Sequence, residues 1–463
     1  MDRRSFLSAS SAAALAPILA GVAPSPAFAA LAPAAGTGDA ALNAAFDKIF
    51  LQNMKDSPGF ATSLGLDTGE LAYLRRTFDP KPYDQALRES LAKDKASLAV
   101  LRAIDPATLS GPAALNREIV IYGLEQNLVA YPKFGIGSVQ RPYDITQQDG
   151  NYFGIPDFLN STHPVETTAD AEAYLSRLSE FAKLLDYETE DQRAQAARGY
   201  LAPAWSLDLA LGQIAKLRNQ PAASSGLVTS LSERAKAKNI AGDWAGRATR
   251  IVEREVYPAI DRQVAMLNKL KPTTRPGDGA TRLPDGEALY AAALAEATTT
   301  NMTPEEVHQL GLSQVAEYTA LIDGILKSAG FTQGSVGERL AGLNNNPAQL
   351  YADTDAGRAE LIKSLNENVN MMTGLLPTAF ATLPNQPLEI RRVPPDIQDG
   401  APNGYYNPAT LDGSRPAIYW INLKSTHDWP KYSLPSLTYH EGVPGHHLQI
   451  SLAQTSKDIP MLR

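Results

Sequence analysis

The chain has 463 residues, of which 44% are hydrophobic and 20% charged, and a formal net charge of −8. The apolar content excludes a wholly disordered chain, and ordinary numbers of Gly and Pro, 33 each, exclude collagen-like and low-complexity classes. The acidic balance, with no long Lys/Arg run, disfavours general nucleic-acid binding, which needs clustered cations. Cysteine is absent, so disulfides, thiolate nucleophiles and Cys-held metals are excluded, and any metal must sit on His, Asp or Glu.

Residues 1–29 read as an export signal. Arg3-Arg4 precedes Ser5-Phe6-Leu7, a weakly apolar Ala-rich stretch runs to Val22, and Ala27-Phe28-Ala29 is a small-x-small cleavage site. The expectation is a twin-arginine signal peptide cleaved after Ala29 and a periplasmic or secreted protein. The apolar stretch of this signal contains Pro17 and is too short and too rich in small residues to be a stable membrane span. No other apolar run approaches the ~20 residues a span needs, so the mature chain is expected to have none.

Most of the mature chain reads as helices joined by Pro-rich loops. From Thr168 to about Leu185, residues Tyr174, Leu175, Leu178, Phe181 and Leu185 fall on one face. A helix from about Gly242 to Leu270 is expected to break or kink at Pro258. Pro272 to Gly286 is turn-rich and marks a boundary between an N-terminal helical lobe, 30–271, and a second lobe, 286–463. Thr303-Pro304-Glu305-Glu306 is a capping-box helix start. Val307, Leu310, Val315, Tyr318, Ile322 and Ile325 come next at helical spacing, and Gly330 closes the helix. Another helix is predicted from Ala356 to about Leu375. Leu388–Val393 and Ala417–Leu423 are strand-like, so a small β-sheet is expected just ahead of the last motif.

That motif carries the chemistry. Of six His, three fall in His440-Glu441-Gly442-Val443-Pro444-Gly445-His446-His447. The opening His-Glu is like that of a zinc-protease helix, where a second His one turn later completes the metal face and the Glu activates water. Here the fourth position after His440 is Pro444, and the next imidazoles are six and seven residues on. On a regular helix the seventh lies roughly 10.5 Å along the axis, too far to share a metal. A Pro-Gly distortion can bring His446 or His447 back beside His440.

The stretch Tyr439 to Gln449 resembles the signature of the bacterial "domain of unknown function 885" family. Supporting pieces are Arg141-Pro142-Tyr143, Ala171 to Leu178, Thr303 to Gly311, Tyr405 to Pro408, Asp412 to Pro416 and Tyr419 to Asn422. The resemblance implies a mainly α, zincin-like, two-lobed fold of the kind seen in angiotensin-converting enzyme, with the small sheet before the metal motif. It implies an exported, zinc-dependent hydrolase of peptide bonds acting on a peptide substrate. Zn²⁺ is the expected cofactor, on His440 and His446, with His447 the alternative ligand. Glu441 is the expected general base. It also implies a third ligand, a Glu in a later Glu-Gly-Trp-like segment. No Glu follows Glu441, so the chain reads as incomplete at its C-terminal end, either a fragment or a natural truncation.

Tyr405 and Tyr406 are candidate donors to an oxyanion. Tyr419 and Asn422 lie on the expected edge strand Ala417–Leu423, which could pair with an extended substrate. His427 with Asp428 is a candidate outer pair, and His163 and His308 read as structural. The competing reading is a non-catalytic periplasmic helical binding protein with a degenerate metal site.

Overall fold

The computed structural model describes residues 36–395, 398–399 and 401–463. The predicted signal peptide and its cleavage site lie outside the described residues. The order begins with helices α1 (Asp39–Asp56), α2 (Pro58–Ser63), α3 (Tyr83–Arg102), α4 (Gly111–Val129) and α5 (Asn151–Asp157). Helix α6 (Thr168–Ala197) is the longest strut of the N-terminal half, followed by α7 (Ala204–Arg218) and α8 (Gly226–Ala237). Thr167 and Asp170 cap α6 reciprocally: the Thr167 hydroxyl accepts from the Asp170 N–H, and the Asp170 carboxylate accepts from the Thr167 N–H.

The principal core lies along α6. Tyr174, Leu178, Phe181 and Leu185 are fully buried and pack with Leu207, Ile214 and Leu231 of the next two helices. Inside this layer the Arg177 guanidinium is also fully buried. It donates to the carbonyls of Pro58, Leu74 and Thr77, to the Thr62 hydroxyl and to Nδ1 of His163. These bonds tie the 58–77 segment to α6, and they require His163 to be neutral. Burial holds the His163 pKa down, at about 3.

The 244–270 segment is α9 (Trp244–Ile251), a π-helical turn (Val252–Val256) and α10 (Tyr257–Leu270). The expected disturbance at Pro258 therefore sits one turn earlier, where the wider turn accommodates the missing N–H donor. Short 3₁₀ turns at Lys271–Thr273 and Ala280–Arg282 lead to α11 (Gly286–Thr298). Leu283 and Leu289 pack against Phe134, Ile136 and Tyr200.

Helix α12 (Pro304–Ser328) starts at the predicted capping box, with Thr303 and Glu306 exchanging hydrogen bonds. Its apolar stripe is not covered by any described element. Val315 is 64% exposed and Ile325 60%, and only Leu326 is buried. Then come α13 (Val336–Asn344) and α14 (Asp355–Leu375). No helix among the described residues is long and apolar enough to cross a membrane.

The sheet has three strands, β1 (Leu388–Arg392), β2 (Gly404–Asn407) and β3 (Ala417–Ile421), in the order β1-β3-β2. β3 runs parallel to β1 and antiparallel to β2. The expected edge strand is thus the middle one, and all five of its residues are buried. Helices α15 (Leu434–Glu441) and α16 (His446–Thr455) close the chain. The two halves interlock: the Leu411 N–H donates to the Leu64 carbonyl, and Arg415 to that of Ser63. Leu462 packs beside Leu42 and Phe46.

A cavity of about 930 Å³ opens among α3, α6 and the 137–151 loop, and its carboxyls include Asp94, Asp144, Glu188 and Asp191. Burial pushes the Glu188 carboxyl up to about 8, against the hydrogen bonds it accepts from Asn151 and Gln263. Burial likewise raises Asp144 to about 6. A carboxyl with a raised native pKa stabilises the fold below its unfolded pKa. That contribution is lost as pH rises through the native value. Glu188→Gln removes this titration, and a flip of the Gln263 amide turns its otherwise unpartnered Oε1 toward the new amide as an acceptor. The melting-temperature gap, variant minus parent, is expected to widen from about pH 5 to about pH 8.5. Parallel melting curves across that range would contradict the assignment.

Candidate metal centre

The 434–455 segment is not one distorted helix. Helix α15 ends at Glu441, a four-residue turn comes next, and α16 begins at His446. The Gly445 N–H donates to the Tyr439 carbonyl (2.9 Å), and the His447 N–H to that of Gly442 (3.0 Å). This turn folds the chain back so that His446 meets His440, with ring centroids 4.6 Å apart at 75°. One ligand atom from each of His440, Glu441 and His446 lies within 4.8 Å of the others.

Gly445 makes the turn possible through close approach rather than left-handed backbone, since its φ is −76°. A Cβ there would sit 1.9 Å from the His440 carbonyl oxygen and 2.4 Å from that of Tyr439. Both obstacles are main chain and cannot step aside. Gly445→Ala is therefore expected to break the turn, lower the melting temperature and lose the metal site. Calorimetry with a zinc titration checks this, and unchanged melting with full zinc binding would contradict it.

Glu441 is 5% exposed, and its Oε2 is buried with no hydrogen-bond partner. Burial raises its pKa, opposed by the neighbouring His446 and His440. It is the last residue of α15, at the negative end of the helix dipole, where a carboxylate is disfavoured. Helix stability therefore does not explain its placement. The Glu441 Oε2, buried without a partner beside two imidazoles, fits a neighbouring cation, and the two imidazole nitrogens are donors that suit zinc.

The structure separates His447 from this group. It is 4% exposed, its Nε2 bonds the Gln386 carbonyl at 3.0 Å, and its Nδ1 bonds the Tyr406 hydroxyl at 3.1 Å. Both nitrogens are engaged, so the expectation of His447 as an alternative ligand gives way to His446. The two tyrosines part as well. Tyr406 lies on the histidine face, its ring 6.1 Å from His446 at 28°. Tyr405, its neighbour along the strand, points to the opposite face and stacks on Trp420 at 6.0 Å. It cannot serve as an oxyanion donor here.

Tyr419 is fully buried between the sheet and α15, inaccessible to a substrate. Its hydroxyl has no hydrogen-bond partner, and burial, with Glu441 adding, holds it protonated. Asn422 is also structural: its amide donates to the carbonyls of Gln398 and Ala401 and accepts from the Lys424 N–H. His308, His427 and Asp428 are exposed. None of His440, Glu441 and His446 lines the 930 Å³ cavity. The carboxyls of that cavity went unnoticed in the sequence, because they come from α3, a loop and α6 with no common spacing.

Fold and site together define a mainly helical protein with a two-histidine, one-glutamate centre against a small sheet. The model of the family described as "Bacterial protein of unknown function (DUF885)" matches residues 58–463, and the chain belongs to that family. Among solved structures it is similar to a "putative lipoprotein" from Colwellia psychrerythraea, at 28% identity and a TM-score of 0.84. The match covers 92% of this chain and 74% of that one. A "putative lipoprotein of unknown function" from Shewanella oneidensis shares the fold alone, at 15% identity and a TM-score of 0.55, with the same coverage. No curated protein matches the chain.

Proposed function

We propose that this chain is an exported, zinc-dependent hydrolase of peptide bonds, with a zincin-like arrangement of its metal motif. The observation that carries the reading is the meeting of His440, His446 and the buried Glu441, whose Oε2 has no partner, across the Gly442–Gly445 turn. His440 and His446 would hold the zinc. When bound, zinc supplies Lewis acidity, which makes water nucleophilic near neutral pH and polarises a carbonyl. Glu441 takes the proton of the attacking water and passes it to the leaving amine.

The backbone that would receive a peptide is β2 rather than β3. β2 pairs only with β3, so its outer edge faces no other strand among the described residues. The Asn422 N–H donates to the Asn403 carbonyl. By antiparallel alternation, the main-chain groups of Gly404 and Tyr406 then point outward. An extended peptide pairing there would lie on the strand that carries Tyr406. Export, periplasmic or outward, accords with the Arg3-Arg4 signal and with the lipoprotein descriptions of the two similar structures. Digestion of a peptide library tests the reading: cleavage should stop with a chelator and return with zinc, and cleavage that persists without metal would overturn it.

A further inference from the structure

His447 is the unexplained member of the motif. It is buried, it is not in the ligand group, and yet it adjoins a proposed ligand in sequence. Its hydrogen bonds fix its tautomer. The Gln386 carbonyl can only accept, so His447 Nε2 carries the hydrogen and donates to it at 3.0 Å. With its hydrogen on Nε2, the imidazole offers the lone pair of Nδ1 as an acceptor. The partner at 3.1 Å is the Tyr406 hydroxyl, which must therefore donate. The Ser451 hydroxyl, at 3.4 Å, is a more distant second neighbour.

This chain of bonds ends on the metal site. The Tyr406 phenol is held at its hydroxyl by His447 and along its backbone by β2. Its ring lies nearly parallel to that of His446, 6.1 Å away, and His446 meets His440 at 4.6 Å. An imidazole on the first turn of a helix can rotate about two side-chain bonds. The Tyr406 face restricts that rotation on one side and His440 on the other.

We propose that His447 is a positioning residue: acting through the Tyr406 hydroxyl, it sets the plane of the His446 ring, so that His446 is preorganised for the metal. The inference rests on the proposed zinc reading of His446, and its test is built to separate the two. Zinc affinity is measured by competition with a chromophoric chelator for the parent, Tyr406→Phe, His447→Leu, His447→Asn and the Tyr406→Phe/His447→Leu double variant. Tyr406→Phe and His447→Leu should each weaken zinc by about 10-fold or more, as outer-shell changes do. The double variant should lose no more than the worse single one, because both break the same link. His447→Asn, which keeps an acceptor near Nδ1, should recover part of the loss. Unchanged affinity in Tyr406→Phe, or losses that multiply, would overturn the inference. Tyr406→Phe removes one hydroxyl and keeps the ring, so it decides the matter even if His447→Leu folds poorly.

The second readout needs no metal. In metal-free protein with labelled histidines, the His446 ring signals, identified by their loss in His446→Ala, should move in both Tyr406→Phe and His447→Leu. Static His446 signals would overturn the positioning role. A parent chain that binds no zinc would instead defeat the zinc reading, while the ring signals still decide this one.

Discussion

Replacing Glu441 with glutamine should leave zinc bound and peptide hydrolysis lost by about 10²–10⁴-fold. The change keeps the shape of the side chain and both imidazoles. It removes only the group that can accept the proton of water. The burial of Glu441 sharpens the expectation. Its native pKa is raised by burial, so the carboxyl's contribution to stability is present at low pH and lost as pH rises through the native value. Glutamine does not titrate, so the metal-free variant should melt no lower than its parent near neutral pH. Loss of activity therefore cannot be blamed on unfolding. Equal cleavage by parent and variant would remove Glu441 as the base. Loss of zinc along with activity would make Glu441 a ligand, a role its position within 4.8 Å of both histidines allows.

Replacing either His440 or His446 with alanine should abolish zinc binding. The fall should exceed the roughly 10–100-fold that outer-shell changes produce. The reason is geometric: each imidazole offers one ligand atom to a shared point, and no other described His or Cys is there to replace it. Metal content after dialysis checks this. Full occupancy in His440→Ala would end the zinc reading, and loss in His440→Ala without loss in His446→Ala would move the second ligand elsewhere.

How much of the fold was legible in the sequence depended on periodicity. The helix beginning at Thr303-Pro304 was readable because its capping box is local chemistry. Helix α6 was readable only to about Leu185, whereas it runs to Ala197. Beyond Leu185 its buried residues are Thr189, Gln192 and Gln195, polar side chains that break an apolar pattern. The exposed stripe of α12 is the reverse case: the pattern promised a covered face, and no described element covers it. For β3, an unbroken apolar run from Ala417 to Ile421 is the mark of a strand buried on both faces, hence a central one. That signal was present in the residues. The opposite faces of Tyr405 and Tyr406 likewise follow from the two-residue repeat of a strand.

The candidate site was legible as a cluster but not as a geometry. His440, Glu441 and His446 were named from their density, and they meet. What spacing alone left open was which of His446 and His447 turns inward. The break at Gly442–Gly445 resets the helical phase, and helical phase cannot be carried across a turn of unknown shape. The answer lies in distant residues, Gln386 and Tyr406, which occupy both nitrogens of His447.

The most direct test of the zinc centre is anomalous diffraction at the zinc absorption edge from crystals grown with zinc. The predicted result is one strong peak within about 2.0–2.1 Å of a ring nitrogen of both His440 and His446, with His447 still bonded to Gln386 and Tyr406. A peak on His447, or no peak between His440 and His446, would contradict it.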